Sequence, residues 1–209
     1  MEKISDEGQF AGLYDIAFNP ILKRVHYTVS HFAEKYGCHS IIDLGSGTGA
    51  QCRVLAADGF LVTGIDASIQ MIAVAKKKTE DSVTFIHDDI RKTTINEKTF
   101  DAANISLVLH PNAKKTIFEI LQKSKTLVKP NGVVFITDYG IGTKFSGRLS
   151  NGLIRIVESF TRPDHRNHYF EFMGNKGIDM LNSFFDVKIL EKQHYFNGAL
   201  QTYVITFSK

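Results

Sequence analysis

The chain has 209 residues, 43% of them hydrophobic and 22% charged, the balance of a folded globular domain rather than of a disordered, collagen-like or low-complexity chain. A net charge of +3 is too mild for a dedicated nucleic-acid or membrane-surface protein, whose basic residues gather on one face. No apolar run approaches the roughly 20 residues of a membrane span. The polar start Met1-Glu2-Lys3-Ile4-Ser5-Asp6 does not read as a secretory signal. Cys38 and Cys52 form neither a CxxC pair nor a disulfide framework, so reduced thiols in a single cytoplasmic domain are expected.

In chain order, residues 20–36 open on Pro20 and place Ile21, Leu22, Val25, Val29 and Phe32 at helical spacing. Ser40 to Leu44 is short, rich in β-branched residues and closed by glycines, which predicts a buried strand. A helix over 50–58 stops at Gly59, and residues 60–65 form the second strand. Asp66 follows it, and Ser68 caps a helix running to Lys78. Strands are predicted at 83–86, 100–106 and 132–137, with a helix over 113–128 before the last. Residues 139–184 are less regular, with helical patches near 145–160 and 174–184. Two β-rich runs, 185–195 and 199–207, flank Asn197-Gly198, a two-residue hairpin signal. Alternating strands and helices imply an α/β, doubly wound, mostly parallel sheet ending in an antiparallel hairpin. No repeat or linker interrupts it, so residues 1–209 are expected to form one domain, with 139–184 as a cap after strand five.

The richest local signal is Asp43-Leu44-Gly45-Ser46-Gly47-Thr48-Gly49, between a strand and a helix. Glycines there allow a tight turn and close approach of a ligand to the backbone. Asp66, at the end of the next strand, has the spacing of an acid that binds ribose hydroxyls. Gly45, Gly47 and Ala50 also satisfy the loose dinucleotide pattern GxGxxG/A, so an NAD-dependent oxidoreductase is a second reading. A dinucleotide puts its diphosphate at the helix N-terminus, where Asp43 is a poor neighbour. S-adenosylmethionine carries a sulfonium and an ammonium instead, and a nearby carboxylate favours both.

These residues resemble the first two motifs of the class I S-adenosylmethionine-dependent methyltransferases, with Gly64-Ile65-Asp66-Ala67-Ser68 and Met71 continuing the match. Phe85-Ile86-His87-Asp88-Asp89-Ile90 resembles their third motif. Phe100-Asp101 with Ser106-Leu107-Val108-Leu109-His110 resembles the fourth strand and its loop. Leu127-Val128-Lys129-Pro130-Asn131-Gly132 resembles the turn into the fifth. The likeness covers roughly residues 10–138 and is to the small-molecule, quinone-biosynthesis-like branch. It implies a seven-stranded Rossmann-like methyltransferase fold with S-adenosylmethionine as cofactor. Gly45, Gly47 and Gly49 would lie against the methionine moiety and Asp66 would hold the ribose. Ala67, Met71 and Ile90 would flank the adenine, and Asp89, or else Asp88, would meet its amine. Tyr14 resembles an N-terminal tyrosine that closes over the donor.

In-line methyl transfer asks mainly for alignment. The Asn-Pro-Pro-aromatic motif of nucleic-acid amine methyltransferases is replaced by Asn104-Ile105-Ser106-Leu107, and the lysine runs lack the interleaved aromatics of a nucleic-acid groove. The expected partner is therefore a small, apolar or amphipathic acceptor, with no nucleic acid. His110, after the fourth strand, is the candidate base or orienting group; Asp138-Tyr139 are weaker ones. In the cap, His165 or His168 is expected to orient a polar group of the acceptor, with Tyr169 and Phe172 as an apolar wall. A non-catalytic subunit that keeps the fold is the third reading.

Overall fold

The computed structural model describes residues 22–79, 82–142, 144–159, 161–183 and 187–207. A helix, α1 (residues 22–35), precedes strand β1 (Ser40–Leu44). Then come α2 (Ala50–Ala57), β2 (Leu61–Asp66), α3 (Ile69–Lys78), β3 (Val83–His87), β4 (Phe100–Ser106), α4 (Lys114–Leu127) and β5 (Val128–Tyr139). The cap consists of α5 (Phe145–Ser159), α6 (Pro163–Gly174) and a 3-10 stretch, Gly177–Ser183. Strands β6 (Val187–Tyr195) and β7 (Leu200–Phe207) close the chain.

The seven strands run in the order β3-β2-β1-β4-β5-β7-β6. All pairings among the first five are parallel, and β7 is antiparallel to both β5 and β6. The expected doubly wound sheet with a terminal antiparallel hairpin is what forms. Central strands are apolar on both faces because helices cover both: Ile41, Ile42, Leu44, Ile105 and Phe135 are fully buried. Each such side chain contributes roughly 1.5–3 kcal/mol relative to exposure. On α4 the buried positions Ile117, Ile120, Leu121, Ser124 and Leu127 trace one stripe, as helical periodicity requires.

Three sequence expectations change. The hairpin is not a two-residue turn: residues 196–199 connect the strands, with Phe196, Asn197 and Gly198 all at positive φ. Strand five starts at Val128 rather than Gly132, because Val128 already pairs with Phe100. Helix α6 occupies 163–174, where no helix was expected; Pro163 opens it, but only Tyr169 and Phe172 are buried along it, too few to mark an apolar stripe.

The order reverses between β1 and β4: from β1 the chain moves outward through β2 to β3, then returns to β4 on the other side. That is the crevice where open α/β sheets bind ligands, at the strands' carboxyl ends. Asp43, Asp66, Ser106 and Tyr139 all sit at or near those ends.

Candidate functional site

The loop between β1 and α2 is built on three left-handed glycines, Gly45 (φ 82°), Gly47 (φ 51°) and Gly49 (φ 74°). They serve different ends. A Cβ on Gly45 would strike Val108, and one on Gly49 would come within 2.7 Å of the Phe85 ring. The same ring lies 2.9 Å from a Cβ placed on Gly64. Phe85, 8% exposed, is thus a wedge beneath the loop, which only glycines at 49 and 64 admit. A Cβ on Gly47 would meet nothing within 4 Å among the described residues. The loop is packed from below and open above Gly47.

Asp66 ties this loop to β2. Its Oδ2 accepts the Gly47 N–H at 2.8 Å and its Oδ1 accepts the Ser68 N–H at 2.8 Å. Each carboxylate oxygen keeps a further lone pair for hydroxyl donors. Ser68 also accepts from Met71 N at 3.3 Å, the expected cap of α3. Ala67 is exposed and Met71 half-buried beside it, and Ile90 is 8% exposed.

Asp43 lies lower than the sequence suggested. It is 2% exposed, with Oδ1 accepting from Asn104 Nδ2 at 2.7 Å and Oδ2 from the Cys52 thiol at 3.1 Å. Burial pushes its carboxyl up to about 6, against the opposing pull of those two hydrogen bonds. Burial, with Asp43 alongside, also raises the Cys52 thiol well above its ordinary value. Among the described residues, three buried polar atoms on and beside the loop have no hydrogen-bond partner: Ser46 Oγ on the loop, Gln51 Oε1 on α2 and Asn104 Oδ1 on β4. Buried polar atoms without a partner are rare in native folds and mark places where a ligand or water completes the bonding.

Asp89 is turned to a partner of its own. Arg91 donates to it through Nε at 3.0 Å and through Nη2 at 2.6 Å, and the Arg91 N–H adds a third bond. These bonds hold its carboxyl below the usual range. Asp88 Oδ1 accepts the Asp89 N–H. Tyr14 lies outside the described residues.

A second group of polar residues lies at the ends of β4 and β5. Leu107 takes a left-handed conformation (φ 57°), unusual for a bulky residue, just ahead of Val108, which packs on Gly45. His110, 3% exposed, is held by Asp138: Oδ1 lies 2.8 Å from Nδ1, and Oδ2 accepts the N–H groups of Leu109 and His110. A carboxylate at Nδ1 favours the tautomer with the proton there, leaving the Nε2 lone pair outward. Across from Nε2 stands Glu158 of α5, also 3% exposed, with Oε1 at 3.8 Å. Glu158 Oε1 accepts the Tyr139 hydroxyl at 3.1 Å, and its Oε2 lies 2.8 Å from Nε2 of His165 on α6. Burial pushes the Glu158 carboxyl up, but the two histidines and Tyr139 more than offset this and hold it below the usual range.

The cap residues divide. Tyr169 packs edge-on against Tyr139 and His110, with ring centroids 5.7 and 6.3 Å away, and burial pushes its hydroxyl up to about 12. His168 is half-buried, its Nδ1 3.1 Å from the Pro111 carbonyl oxygen. Phe172, expected on an open wall, is 2% exposed and belongs to the core; three residues after Tyr169, it falls on the inner face of α6. Glu158 was not anticipated at all. No local spacing marks it, because only the packing of α5 brings its carboxylate to His110.

A methyltransferase-domain family matches residues 41–132, the stretch from β1 to the turn before β5's core. Over 189 residues the chain is 31% identical to a ubiquinone biosynthesis O-methyltransferase of Saccharophagus degradans, covering 83% of this chain and 75% of that protein. The chain belongs to the class I S-adenosylmethionine-dependent methyltransferases. A demethylmenaquinone methyltransferase of Clavibacter sepedonicus is 32% identical over 103 residues, 47% of this chain and 40% of that protein. Several such relatives are spanned for less than two thirds of their own length. The methyltransferase fold itself is shared with the plantazolicin methyltransferase BpumL, solved with a desmethyl analogue and SAH, at TM-score 0.69 and 15% identity over 98% of this chain and 92% of that one. For a family that uses S-adenosylmethionine, the loop, Asp66 and the unpartnered Ser46 Oγ on the loop form a fitting cradle. Among the described residues, no helix is long and apolar enough to cross a membrane.

Proposed function

We propose that the protein transfers a methyl group to a small-molecule acceptor held between the β1–α2 loop and the cap. The observation that carries this reading is the pairing of two differently built sites at one sheet edge. One is a glycine loop, open above Gly47 and tied to Asp66. The other is a buried His110–Asp138–Glu158 group with the partly exposed His165 at its edge. Bound S-adenosylmethionine supplies an activated methyl on a sulfonium, whose leaving group is a neutral thioether.

In this reading Gly45, Gly47 and Gly49 receive the methionine moiety. Asp66 accepts from the ribose hydroxyls. Ala67, Met71 and Ile90 border the adenine, with Asp88 or Asp89 at its amine; Arg91's hold on Asp89 favours Asp88. Asp43, too buried for direct contact, acts through its charge beneath the loop. That same charge, linked to α2 through Cys52, opposes a diphosphate at the α2 N-terminus and so disfavours a nicotinamide dinucleotide. His110, oriented by Asp138, is the candidate group toward the acceptor's nucleophile, with Tyr14 as a possible closure over the donor. Tyr169 and His168 are assigned to the acceptor's side of the cap, in a single domain that includes residues 139–184.

An aromatic-edged, partly polar site of this kind suits an amphipathic acceptor. The test is a screen of metabolite extracts with donor carrying an isotopically labelled methyl. The reading predicts label in a low-molecular-weight product, with less product from His110→Ala. Label found only in nucleic acid or protein would overturn the acceptor class.

A further inference from the structure

We propose that His110, Glu158 and His165 form a binding site for a divalent transition-metal ion. Their ligand atoms all lie within 4.8 Å of one another, although they come from three separate elements: the loop after β4, α5 and α6. Two of the three are 3% exposed. A buried carboxylate facing two histidines is not the ordinary solvated cluster of surface acids.

The details of the group suit a shared cation. Glu158 Oε2 and His165 Nε2 lie 2.8 Å apart, yet among the described residues neither is aligned with a hydrogen-bond partner. The contact is at ion-pair distance but off the hydrogen-bond line, an approach that two ligands of one bound cation also make. With metal–nitrogen and metal–oxygen bonds of about 2.0–2.2 Å, neighbouring ligand atoms stand roughly 3–3.5 Å apart. The 2.8 Å and 3.8 Å separations lie just outside that range on either side, and the widest spread of the set, up to 4.8 Å, must contract for all three to share one ion. His165 is 34% exposed, the least confined of the three, and is the ligand whose shift would close the set.

The surroundings match as well. Asp138 holds His110 at Nδ1 and leaves Nε2 to coordinate, the carboxylate–histidine support that metal ligands commonly have. The Tyr139 hydroxyl fixes Glu158 Oε1. Two imidazoles and one carboxylate select zinc-, iron-, cobalt- or manganese-type ions over calcium or magnesium, which prefer all-oxygen shells. Three protein ligands leave positions open for an oxygen atom of a small molecule. This last step rests on the proposed function; metal binding itself does not.

The experiment uses the full chain, stripped with a chelator and titrated calorimetrically with Zn2+ and, by visible absorption, with Co2+. Wild type is expected to bind one equivalent of each at micromolar or tighter affinity. Glu158→Gln and His165→Asn should each weaken binding at least tenfold. His194→Ala, at an exposed position on β6, should leave it unchanged. The His165 position is partly exposed, so its variant should fold, and circular dichroism with an S-adenosylhomocysteine titration verifies this. Absent binding by wild type, or equal affinity in His165→Asn, would overturn the inference. A wild-type protein that binds S-adenosylhomocysteine but not Zn2+ or Co2+ would defeat the metal site alone; one that binds the metal but not S-adenosylhomocysteine would defeat the methyltransferase reading and spare the metal site.

Discussion

Replacing Asp43 by asparagine removes a titrating charge from a position that is 2% exposed. In the unfolded chain this carboxyl ionises near 3.8, and in the fold at about 6. The unfolded state therefore gives up its proton first as pH rises. Stability falls through the window between those two values and stays level above it. At 1.36 kcal/mol per pKa unit, the fall amounts to about 2–3 kcal/mol between pH 4 and pH 8. Asparagine cannot ionise and preserves the shape, including an acceptor for Asn104 Nδ2. All other titrations are common to both proteins, so the difference in unfolding free energy isolates Asp43. Urea unfolding across that pH range should show the variant gaining about 2–3 kcal/mol on wild type as pH rises, or roughly 5–10 °C in Tm for a chain of this size. The variant should also bind the cationic donor more weakly above pH 6, so stability and function are opposed at this residue. Parallel pH profiles for the two proteins would refute the buried-charge account.

Asp101 should behave with the opposite sign. Burial raises its carboxyl, but Lys129 Nζ at 2.7 Å, the His39 and Ser40 N–H groups and the Ser40 hydroxyl hold it far below the usual range. Its contribution is present above the unfolded value and is lost as pH falls; Asp101→Asn should cost about 1–3 kcal/mol near pH 7, read by urea unfolding, and much less near pH 3. Asp66→Asn should weaken S-adenosylhomocysteine at least tenfold by calorimetry, since charge-assisted bonds are worth roughly 1.5–3 kcal/mol each. The two glycine variants should separate. Gly49→Ala meets Phe85 and should lower stability by about 2 kcal/mol or more in thermal unfolding, whereas Gly47→Ala meets open space and should cost about 1 kcal/mol of backbone strain while impairing donor binding.

The sheet and the glycine loop were legible because their signals are local. Short β-branched runs, left-handed glycines and an acid after the second strand each follow from contacts within a few residues. Ser68 and Gly59 likewise mark helix ends by backbone chemistry alone. Helix α6 was missed because its exposed, polar face outweighs Tyr169 and Phe172 in any periodicity. Phe172 was placed on a wall because aromatic content does not say which side of a helix is inward. Glu158 was invisible for a deeper reason: its partner His110 is 48 positions earlier in the chain, and only the placement of the end of α5 beside Tyr139 and His110 joins them. Asp43 was expected beside the donor's cations but lies deeper, because Asn104, brought alongside by strand register, and Cys52 bond its carboxylate inside the fold.

The central claim, that this crevice takes a methyl donor rather than a dinucleotide, is tested most directly by titrating S-adenosylhomocysteine and NAD separately into the same folded protein. The account predicts one saturable site for S-adenosylhomocysteine, weakened at least tenfold in Asp66→Asn, and no measurable heat from NAD. Saturable NAD binding with no response to S-adenosylhomocysteine would contradict it.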